Sequence, residues 1–329
     1  MSKIYKWGII STGRISTQFT EALQSLKNAE VYAVASRTQE SADEFARKWS
    51  IGKAYGNYED LYQDPEVDVV YIGTPHSFHH RDTLNALNEG KHVLCEKAFS
   101  INADQAQEMI QLARDKELFL MEAMWNRFQP WYEKVRELLD NEILGELHNL
   151  KADLSFHFPY DPEHRLFNPE LGGGSLLDLG VYPIALSSLL MGPPGSIACT
   201  AHKCPTGVDD QVSMIFIHEN GSTSELGCSS RFNTPWLSTL HGEKGYLEIE
   251  GMIGRPERII LHLNGQEPEV FDTPYELNGY QYEAQAVMEM LDQDEIEHPL
   301  MPLDETFQIM AVMDYIRENI GVLYPGEVE

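Results

Sequence analysis

The order of apolar and polar positions divides the chain into two parts with different periods. In the first part, short apolar runs such as Trp7–Ile10 alternate with segments in which apolar residues recur at helical spacing, as at Ile15 and Phe19. Strands that alternate with helices predict βαβ units and a parallel sheet, and the repetition of this pattern indicates a doubly wound domain. The other elements expected here are strands Val31–Ala35, Val67–Ile72, His92–Cys95 and Leu118–Met121, a helix that ends near Gly90, and a helix over Ala103–Ala113.

The second part has a period of two, which is typical of strands. Apolar residues at Leu150, Ala152 and Leu154 alternate with more polar neighbours, and few helical patterns intervene. Further strands are expected at Val212–Ile217, Gly245–Ile249 and Ile259–Leu263, and helices at 281–292 and 304–319. We therefore expect an α/β protein with two domains. Residues 1–124 would form a domain with a parallel sheet, and residues 125–329 an α+β domain with a large, mostly antiparallel open sheet.

The chain is strongly acidic, with a formal net charge of −28 over 329 residues and a pI near 4.7. Phosphate binding requires a basic footprint, so this charge argues against a nucleic-acid partner and against an anionic membrane surface. No apolar run approaches the roughly 18 residues of a membrane span, so we expect no such span. We also expect no secretory signal, because no apolar segment precedes the first strand. The cysteines Cys95, Cys199, Cys204 and Cys228 form no C-x-x-C pair, which favours reduced thiols in a cytoplasmic protein.

The first strand leads into a turn of small residues. Gly8 and Gly13 fit the G-x-G-x-x-G/A pattern, which lets the backbone approach a pyrophosphate at a helix N-terminus. Ser11 and Ser16 replace the other small residues of that pattern. Because the turn lies between a strand and an amphipathic helix, we interpret it as the start of a dinucleotide-binding Rossmann domain. The residues expected to contact the cofactor here are Gly8, Ser11, Thr12, Gly13, Arg14 and Ile15.

The end of the second strand indicates which dinucleotide is bound. An NAD site usually places an acidic residue there to bind the ribose 2′-hydroxyl, whereas a 2′-phosphate is accommodated by arginine. This chain has Ser36 and Arg37 and no acid at that point. We expect NADP as the preferred cofactor, with NAD possible, and the alternative is that Arg37 is an ordinary solvated residue.

A histidine cluster follows a later strand at the same sheet edge. Thr74, His76 and His79 are expected to cap the turn or to contact the cofactor. No acid or cysteine accompanies these histidines at ligand spacing, so we expect no metal site.

Glu96 and Lys97 follow the strand His92–Cys95, and we also expect these two residues at the cofactor. A lysine here emerges at the carboxyl edge of the parallel sheet, where open α/β sheets bind their ligands. Its ammonium could hold a substrate oxygen beside a nicotinamide ring. The alternative is a solvated lysine at the end of a strand.

A glycine-rich segment, Gly172–Gly174, precedes a helix in the second part. Ser175 could cap that helix, and Asp178 and Tyr182 are four residues apart on it, so they would share one face. A nearby ammonium favours phenolate and lowers the pKa of a tyrosine, so Tyr182 beside Lys97 could act as a general acid and base. The alternative is a packed tyrosine with Asp178 as a polar neighbour.

Trp125 opens the segment that joins the two domains. It could wall a substrate pocket or belong to the core between the domains, and its position does not decide between these roles.

These motifs together resemble those of the glucose–fructose oxidoreductase and inositol dehydrogenase (Gfo/Idh/MocA) family. The family's Glu-Lys-Pro is similar to Glu96–Ala98, its Thr-Pro-Asn-x-x-His to Thr74–His79, and its glycine-rich segment with Asp-x-x-x-His to Gly172–Tyr182. Tyrosine in the last histidine position resembles the branch of dimeric dihydrodiol dehydrogenases, also described as NADP-dependent D-xylose dehydrogenases. The chain departs from the family pattern at Ser11, His76 and Ala98.

The resemblance implies a function and a partner. It implies hydride transfer between NAD(P) and a carbinol or carbonyl carbon of a sugar, polyol or diol. Lys97, Tyr182 and Asp178 would be catalytic, Trp125 and Tyr182 would contact substrate, and the open sheet would form a homodimer. Two alternatives remain open: a regulator of the same fold that binds the dinucleotide without turnover, and a redox-assisted glycosidase.

Overall fold

A computed structural model describes residues 3–327. The strands are β1 (Tyr5–Ile10), β2 (Ala29–Ala35), β3 (Lys53–Tyr55), β4 (Val69–Ile72), β5 (His92–Glu96), β6 (Leu120–Ala123), β7 (Leu147–Ser155), β8 (Pro194–Lys203), β9 (Asp209–His218), β10 (Thr223–Ser229), β11 (Leu237–Gly242), β12 (Gly245–Met252), β13 (Arg255–Leu263) and β14 (Glu269–Asp272). The α-helices are α1 (Arg14–Gln24), α2 (Gln39–Trp49), α3 (Tyr58–Tyr62), α4 (His76–Asn88), α5 (Ala103–Asp115), α6 (Pro130–Asp140), α7 (Val181–Met191), α8 (Tyr280–Leu291) and α9 (Leu303–Ile320).

The chain forms two compact units. The first runs to Trp125 and takes in Glu276–Phe307, and the second holds Asn126–Tyr275 and the chain from Gln308 onward. Residues 276–307, which the sequence pattern grouped with the second domain, therefore fold with the first unit. The reason is packing: α8 lies against α1, and the Asn278 side chain just before α8 donates a hydrogen bond to the Gln18 carbonyl oxygen at 2.9 Å.

The first unit contains the predicted parallel sheet. Its strand order is β3-β2-β1-β4-β5-β6, and every neighbouring pair is parallel. The central strands β1 and β4 are apolar and almost wholly buried, as strands covered by helices on both faces require. Gly90 ends α4 as expected, with φ +74° and its N–H donating to the Leu87 carbonyl. This is a Rossmann-type doubly wound domain, and its ligand edge is the edge where β1, β4 and β5 end.

The second unit contains an eight-stranded sheet in the order β14-β13-β12-β11-β7-β10-β9-β8. The pair β7 and β10 is parallel and the other neighbouring pairs are antiparallel, so the sheet is mixed but mostly antiparallel, as predicted. On one face, α7 packs against β7 and β10, and α6 packs against β13. Buried and exposed residues alternate along β9, where Val212, Met214 and Phe216 are buried.

The segment Pro169–Met191 corrects one expectation. By length and composition it could cross a membrane, although no such run was expected from the sequence. However, 78% of its most apolar window is buried inside the protein. Its apolarity is explained by packing against β7 and β10, because a buried core helix is apolar on every side.

Candidate active site

The first βα turn accommodates serine in a glycine conformation. Ser11 has φ +88°, in the region that normally favours glycine. Its hydroxyl lies 3.3 Å from the Ser16 hydroxyl and accepts a hydrogen bond from the Gly13 N–H at 3.2 Å. The two serines that depart from the glycine fingerprint therefore contact each other, and the turn keeps the backbone path that the fingerprint produces.

The N-terminus of α1 fits a pyrophosphate. Its N-cap residue, Gly13, supplies no side-chain cap, and no acidic residue lies in the first turn. Amide groups at a helix N-terminus carry a partial positive charge and donate hydrogen bonds, so they bind phosphate oxygens. Thr12 and Gly13, which lead into this helix, are half-buried and exposed respectively. These features suit the predicted role of residues 11–15 in a protein whose overall charge would repel a dinucleotide. Gly8 lies buried within β1, where a Cβ would come within 2.7 Å of the Leu61 side chain, so packing against that side chain explains this glycine.

The end of β2 lies next to this turn. The Ser36 hydroxyl is 3.4 Å from the Thr12 hydroxyl, and Ser36 is buried. Arg37 follows it and is exposed. Because Arg37 is exposed, its guanidinium does not pack in the core. Its preference for a 2′-phosphate stays a prediction that binding experiments can test.

The β4–α4 turn is tied together by side chains. The Thr74 hydroxyl donates to Asp82 Oδ2 at 2.9 Å, and Arg81 donates to Asp82 Oδ1 through Nε at 2.9 Å and Nη2 at 2.7 Å. Burial raises the pKa of Asp82, and the bonds from Arg81 and Thr74 oppose that rise. His76 begins α4, and its ring packs edge-on against His79 with centroids 5.6 Å apart.

His79 joins this turn to the loop after β5. It is fully buried, and its ring nitrogens lie 2.8 Å from the Thr74 carbonyl oxygen and 2.9 Å from the Ala98 carbonyl oxygen. Burial lowers the pKa of His79 to about 4, although both carbonyls act in the opposite direction. His79 is therefore neutral near pH 7 and donates from one nitrogen. Its position between the β4–α4 turn and the loop that follows Lys97 favours the turn-fixing role of the two predicted for it.

Lys97 follows β5 directly, at the carboxyl edge of the sheet. It is half-buried, its N–H donates to Glu96 Oε2 at 3.3 Å, and the Lys97–Ala98 peptide bond is cis. Glu96 Oε1 accepts a 2.6 Å hydrogen bond from the buried Tyr71 hydroxyl. The Glu96 carboxylate is thus engaged with the protein itself, and it fixes the end of the strand from which the lysine emerges.

A buried carboxyl group near Glu96 is not apparent from the sequence. Glu283 on α8 is fully buried, and neither of its carboxyl oxygens has a hydrogen-bond partner among the described residues. Burial raises its pKa well above the ordinary value, and the charge of Glu96 raises it further. Glu283 therefore holds its proton to a higher pH in the folded protein than in the unfolded chain. Helical periodicity placed it inside a helix but gave no sign that this polar position faces inward.

Trp125 is part of the core of the first unit. It is 3% exposed, and its ring stacks on Tyr280 with centroids 4.5 Å apart and an interplanar angle of 29°. This packing lies within the first unit, so it decides neither of the two roles that the sequence left open, and contact with substrate stays a prediction.

The glycine-rich segment is held by Asp209. Asp209 Oδ2 accepts hydrogen bonds from the Ser175 hydroxyl and the Leu176 N–H, each at 2.7 Å. The prediction that the Ser175 side chain caps the helix is therefore wrong. Asp209 accepts the hydrogen bond from the N–H at the start of the helix, and the Ser175 hydroxyl donates to the same carboxylate. Gly174 has φ +125°, and a Cβ there would lie 2.6 Å from Asp209 Oδ1, so the close approach requires glycine.

The helix after these glycines begins with a π-helical turn, Leu176–Gly180, and continues as α7. A π-helical turn holds more residues than an α-helical turn, so the simple four-residue spacing between Asp178 and Tyr182 does not by itself define a shared face. Tyr182 is 8% exposed on α7. Asp178 is bound by Arg165, whose Nη1 and Nη2 donate to its two carboxylate oxygens at 2.9 and 3.1 Å. Sequence reasoning missed Arg165 because it precedes the glycines in an irregular segment without a motif.

Each unit brings some of the predicted residues together. The first unit gathers the β1 turn, Ser36, Thr74, His79 and the Glu96–Lys97 pair at one sheet edge, and the second holds Asp178 and Tyr182 on one helical segment. The joint action of Lys97 and Tyr182 stays a prediction. Within residues 3–327, no group of three or more His, Cys, Asp or Glu side chains has an arrangement that could hold a metal ion.

The parallel sheet with its helix N-terminus suited to pyrophosphate, followed by a mostly antiparallel sheet, defines a two-domain nicotinamide-dependent oxidoreductase architecture. The model of the oxidoreductase family with an NAD-binding Rossmann fold matches residues 5–124, and the GFO/IDH/MocA C-terminal domain matches residues 132–248. The chain belongs to the Gfo/Idh/MocA family of NAD(P)-dependent oxidoreductases.

Relatives with described activities cover nearly the whole chain. The trans-1,2-dihydrobenzene-1,2-diol dehydrogenase of Xenopus laevis is 37% identical over 97% of this chain and 99% of its own length. The mouse (Mus musculus) enzyme of the same name is 38% identical over 98% of each chain. The sequence resemblance to the dihydrodiol dehydrogenases is thereby confirmed.

Two solved structures share the fold. A 3-ketoreductase from Actinomadura kijaniata, in complex with NADP and TDP-benzene, has a TM-score of 0.87 at 24% identity, covering 96% of this chain and 98% of that one. An aldose-aldose oxidoreductase from Caulobacter crescentus, complexed with glycerol, has a TM-score of 0.88 at 22% identity, covering 96% and 97%. At this identity the likeness concerns the fold alone.

Proposed function

We propose that this protein is an NADP-preferring dehydrogenase or reductase that interconverts a carbinol and a carbonyl carbon of a sugar, polyol or diol. The observation that carries the proposal is the placement of Lys97 at the carboxyl end of β5, at the same sheet edge as the uncapped N-terminus of α1. The N-terminus of α1 is suited to a dinucleotide phosphate, and the Lys97 ammonium is suited to a substrate oxygen. The dihydrodiol dehydrogenases that this chain resembles support the substrate class.

The proposed chemistry assigns one role to each residue. When bound, the nicotinamide supplies or accepts the hydride. In the reducing direction Tyr182 Oη gives its proton to the carbonyl oxygen, and in the oxidising direction it takes the proton back. Lys97 Nζ holds that oxygen and favours the phenolate form of Tyr182. Asp178 accepts a hydrogen bond from a neighbouring substrate hydroxyl.

The residues of the first unit then bind and position the cofactor. The backbone N–H groups after Gly13 would hold the pyrophosphate, and the Arg37 guanidinium would pair with a 2′-phosphate. Thr74 holds the β4–α4 turn through its hydrogen bond to Asp82, and the His79 ring lies between the Thr74 and Ala98 carbonyl oxygens, one of which accepts its N–H.

The test begins with cofactor titration, because binding and turnover can then be separated. Purified protein is titrated with NADPH and NADH by nicotinamide fluorescence and then assayed with aldoses and diketones. Lys97→Met and Tyr182→Phe should lower turnover by about 100-fold or more while NADPH still binds. The matched controls are Lys116→Met and Tyr315→Phe, which change an exposed lysine and a partly exposed tyrosine. Turnover of either test variant within a few-fold of wild type would contradict the assignment.

We further propose a homodimer formed through the uncovered face of the large sheet. Ile215, Ile217 and Leu237 are 50%, 47% and 41% exposed, which is unusual for apolar side chains of a sheet unless another surface covers them. A groove of about 530 Å³ on this face is lined in part by Ile215, Leu237 and Glu225. Light scattering at micromolar concentration should give the dimer mass, and Ile215→Lys should shift the protein towards monomer. A monomer mass for the wild-type protein would overturn this proposal.

A further inference from the structure

Asp178 is held by a two-pronged contact with Arg165. Both guanidinium nitrogens Nη1 and Nη2 donate, one to each carboxylate oxygen, at 2.9 and 3.1 Å. The Asp178 side chain is 9% exposed and the Arg165 side chain is 50% exposed. Arg165 thus reaches from the solvent side onto a nearly buried carboxylate. Bidentate arginine–carboxylate pairs fix the plane of the carboxylate as well as neutralising its charge.

The backbone around Asp178 is held by other residues, so the contact with Arg165 concerns the orientation of the side chain. Asp178 lies in the π-helical turn Leu176–Gly180, whose start is fixed by Asp209 and whose end packs so closely that a Cβ on Gly180 would lie 2.9 Å from Cys228 Sγ. The backbone of the turn is therefore held from both sides. The Arg165 fork acts on the side chain itself, because its two hydrogen bonds hold both oxygens of the Asp178 carboxylate.

We infer that Arg165 is a positioning residue for the reaction proposed above, on which this inference rests: it acts through Asp178, keeping the carboxylate aimed at the substrate hydroxyl next to the reacting carbon. A carboxylate rotated out of the plane that the fork fixes would be a poorer acceptor for that hydroxyl, because its lone pairs would no longer point at the donor.

A double-mutant cycle tests whether Arg165 acts through Asp178 or independently. The four proteins are wild type, Arg165→Gln, Asp178→Asn and the double variant, each assayed with NADPH and the best carbonyl substrate of the wild type. Arg165→Gln should lower kcat/KM by about ten- to 100-fold, the range that misplaced groups cost. In the Asp178→Asn background, the same change should cost less than about threefold, because the carboxylate that it positions is already gone.

Two further variants separate positioning from a general loss of structure. Arg165→Lys keeps the cation but not the fork, and should recover part of the activity lost in Arg165→Gln. Arg258→Gln removes an arginine paired with an exposed aspartate, Asp272, at 3.0 Å on the sheet edge, and should leave kcat/KM unchanged. NADPH binding by fluorescence should be the same in all variants, which shows that the first unit is folded. Unchanged circular dichroism should show the same for the second unit, which contains Arg165 and Asp178.

The outcomes distinguish this inference from the proposed function. A wild-type protein that binds NADPH but reduces no carbonyl compound would overturn the proposed function and the inference with it. An active wild type whose Arg165→Gln variant keeps its activity would overturn the inference alone. Multiplicative losses in the double variant would also overturn the inference, because they would show that Arg165 acts without Asp178.

Discussion

The hydroxyl groups of Ser11, in the turn after β1, and Ser16, in the first turn of α1, lie 3.3 Å apart. Both residues occupy positions where a dinucleotide-binding fingerprint has small residues, and Ser11 does so with φ +88°. The turn therefore retains the geometry of the fingerprint although its sequence match is poor. The same contact also indicates which substitutions the turn should accept.

Ser11→Gly should bind NADPH within about threefold of wild type, because glycine adopts positive φ without steric cost. Ser11→Val should weaken NADPH binding by about tenfold or more, because a β-branched residue at this φ costs roughly 1–3 kcal/mol. Fluorescence titration of the two variants measures the difference directly. Equal affinities for the glycine and valine variants would show that the turn does not contact the dinucleotide.

Arg37→Ala should weaken NADPH binding by about tenfold or more and leave NADH binding nearly unchanged, since only NADPH carries the 2′-phosphate that a guanidinium would bind. Arg47→Ala, which removes an exposed arginine of α2, is the matched control. Isothermal titration with both cofactors measures the ratio of affinities. A parallel loss for NADPH and NADH would assign Arg37 a structural role and remove the basis for the NADP preference.

Glu283→Gln should stabilise the protein at neutral pH, because glutamine mimics the neutral acid without a proton to lose. Burial raises the pKa of Glu283, so the folded state binds a proton that the unfolded state releases. Its contribution to stability is present below the unfolded pKa, near 4.3, and is lost as pH rises towards the folded pKa, by at most about 1.4 kcal/mol per pH unit.

Thermal melts of Glu283→Gln and wild type between pH 4.5 and 8 test the direction of this pH dependence of stability. The stability advantage of the variant should be largest at the alkaline end and should shrink towards the acidic end. Glu289→Gln changes an exposed glutamate of the same helix and should show no such trend. An advantage for Glu283→Gln that grew as pH fell would contradict the assignment of a raised pKa to this buried acid.

Asp209→Ala should destabilise the second unit by about 2–4 kcal/mol, because it leaves the Ser175 hydroxyl and the Leu176 N–H buried without their acceptor. Asp209→Asn, which keeps one acceptor oxygen, should cost less. Chemical denaturation followed by circular dichroism measures both values. A loss below about 0.5 kcal/mol for the alanine variant, which is the size of an ordinary surface change, would show that Asp209 does not hold the helix start.

Much of the architecture follows from local pattern. The apolar runs at β1, β4 and β5 predict strands because a parallel sheet covered on both faces must be apolar throughout. In β9 apolar and polar residues alternate, which predicts a sheet that is covered on one face only. Lys97 could be predicted as a site residue because the end of a parallel strand is a defined place in such a sheet.

The contacts that sequence could not supply join residues far apart in the chain. Asp209 holds a helix that starts 33 positions before it, and the return of residues 276–307 to the first unit depends on α8 packing against α1. Arg165 and Glu283 could not be predicted for the same reason. Arg165 lies in an irregular segment, and Glu283 is a polar residue on a buried helix face, so no local pattern indicates the surroundings of either side chain.

The most direct test of the central claim is label transfer from NADPH deuterated at C4 of the nicotinamide. Wild-type protein is incubated with this cofactor and a panel of aldoses and diketones, and the products are analysed by mass spectrometry. We predict one deuterium on the new carbinol carbon, and loss of that product in Tyr182→Phe despite unchanged NADPH binding. NADPH that binds tightly but transfers no deuterium to any compound, or a Tyr182→Phe variant that forms product at the wild-type rate, would contradict the account.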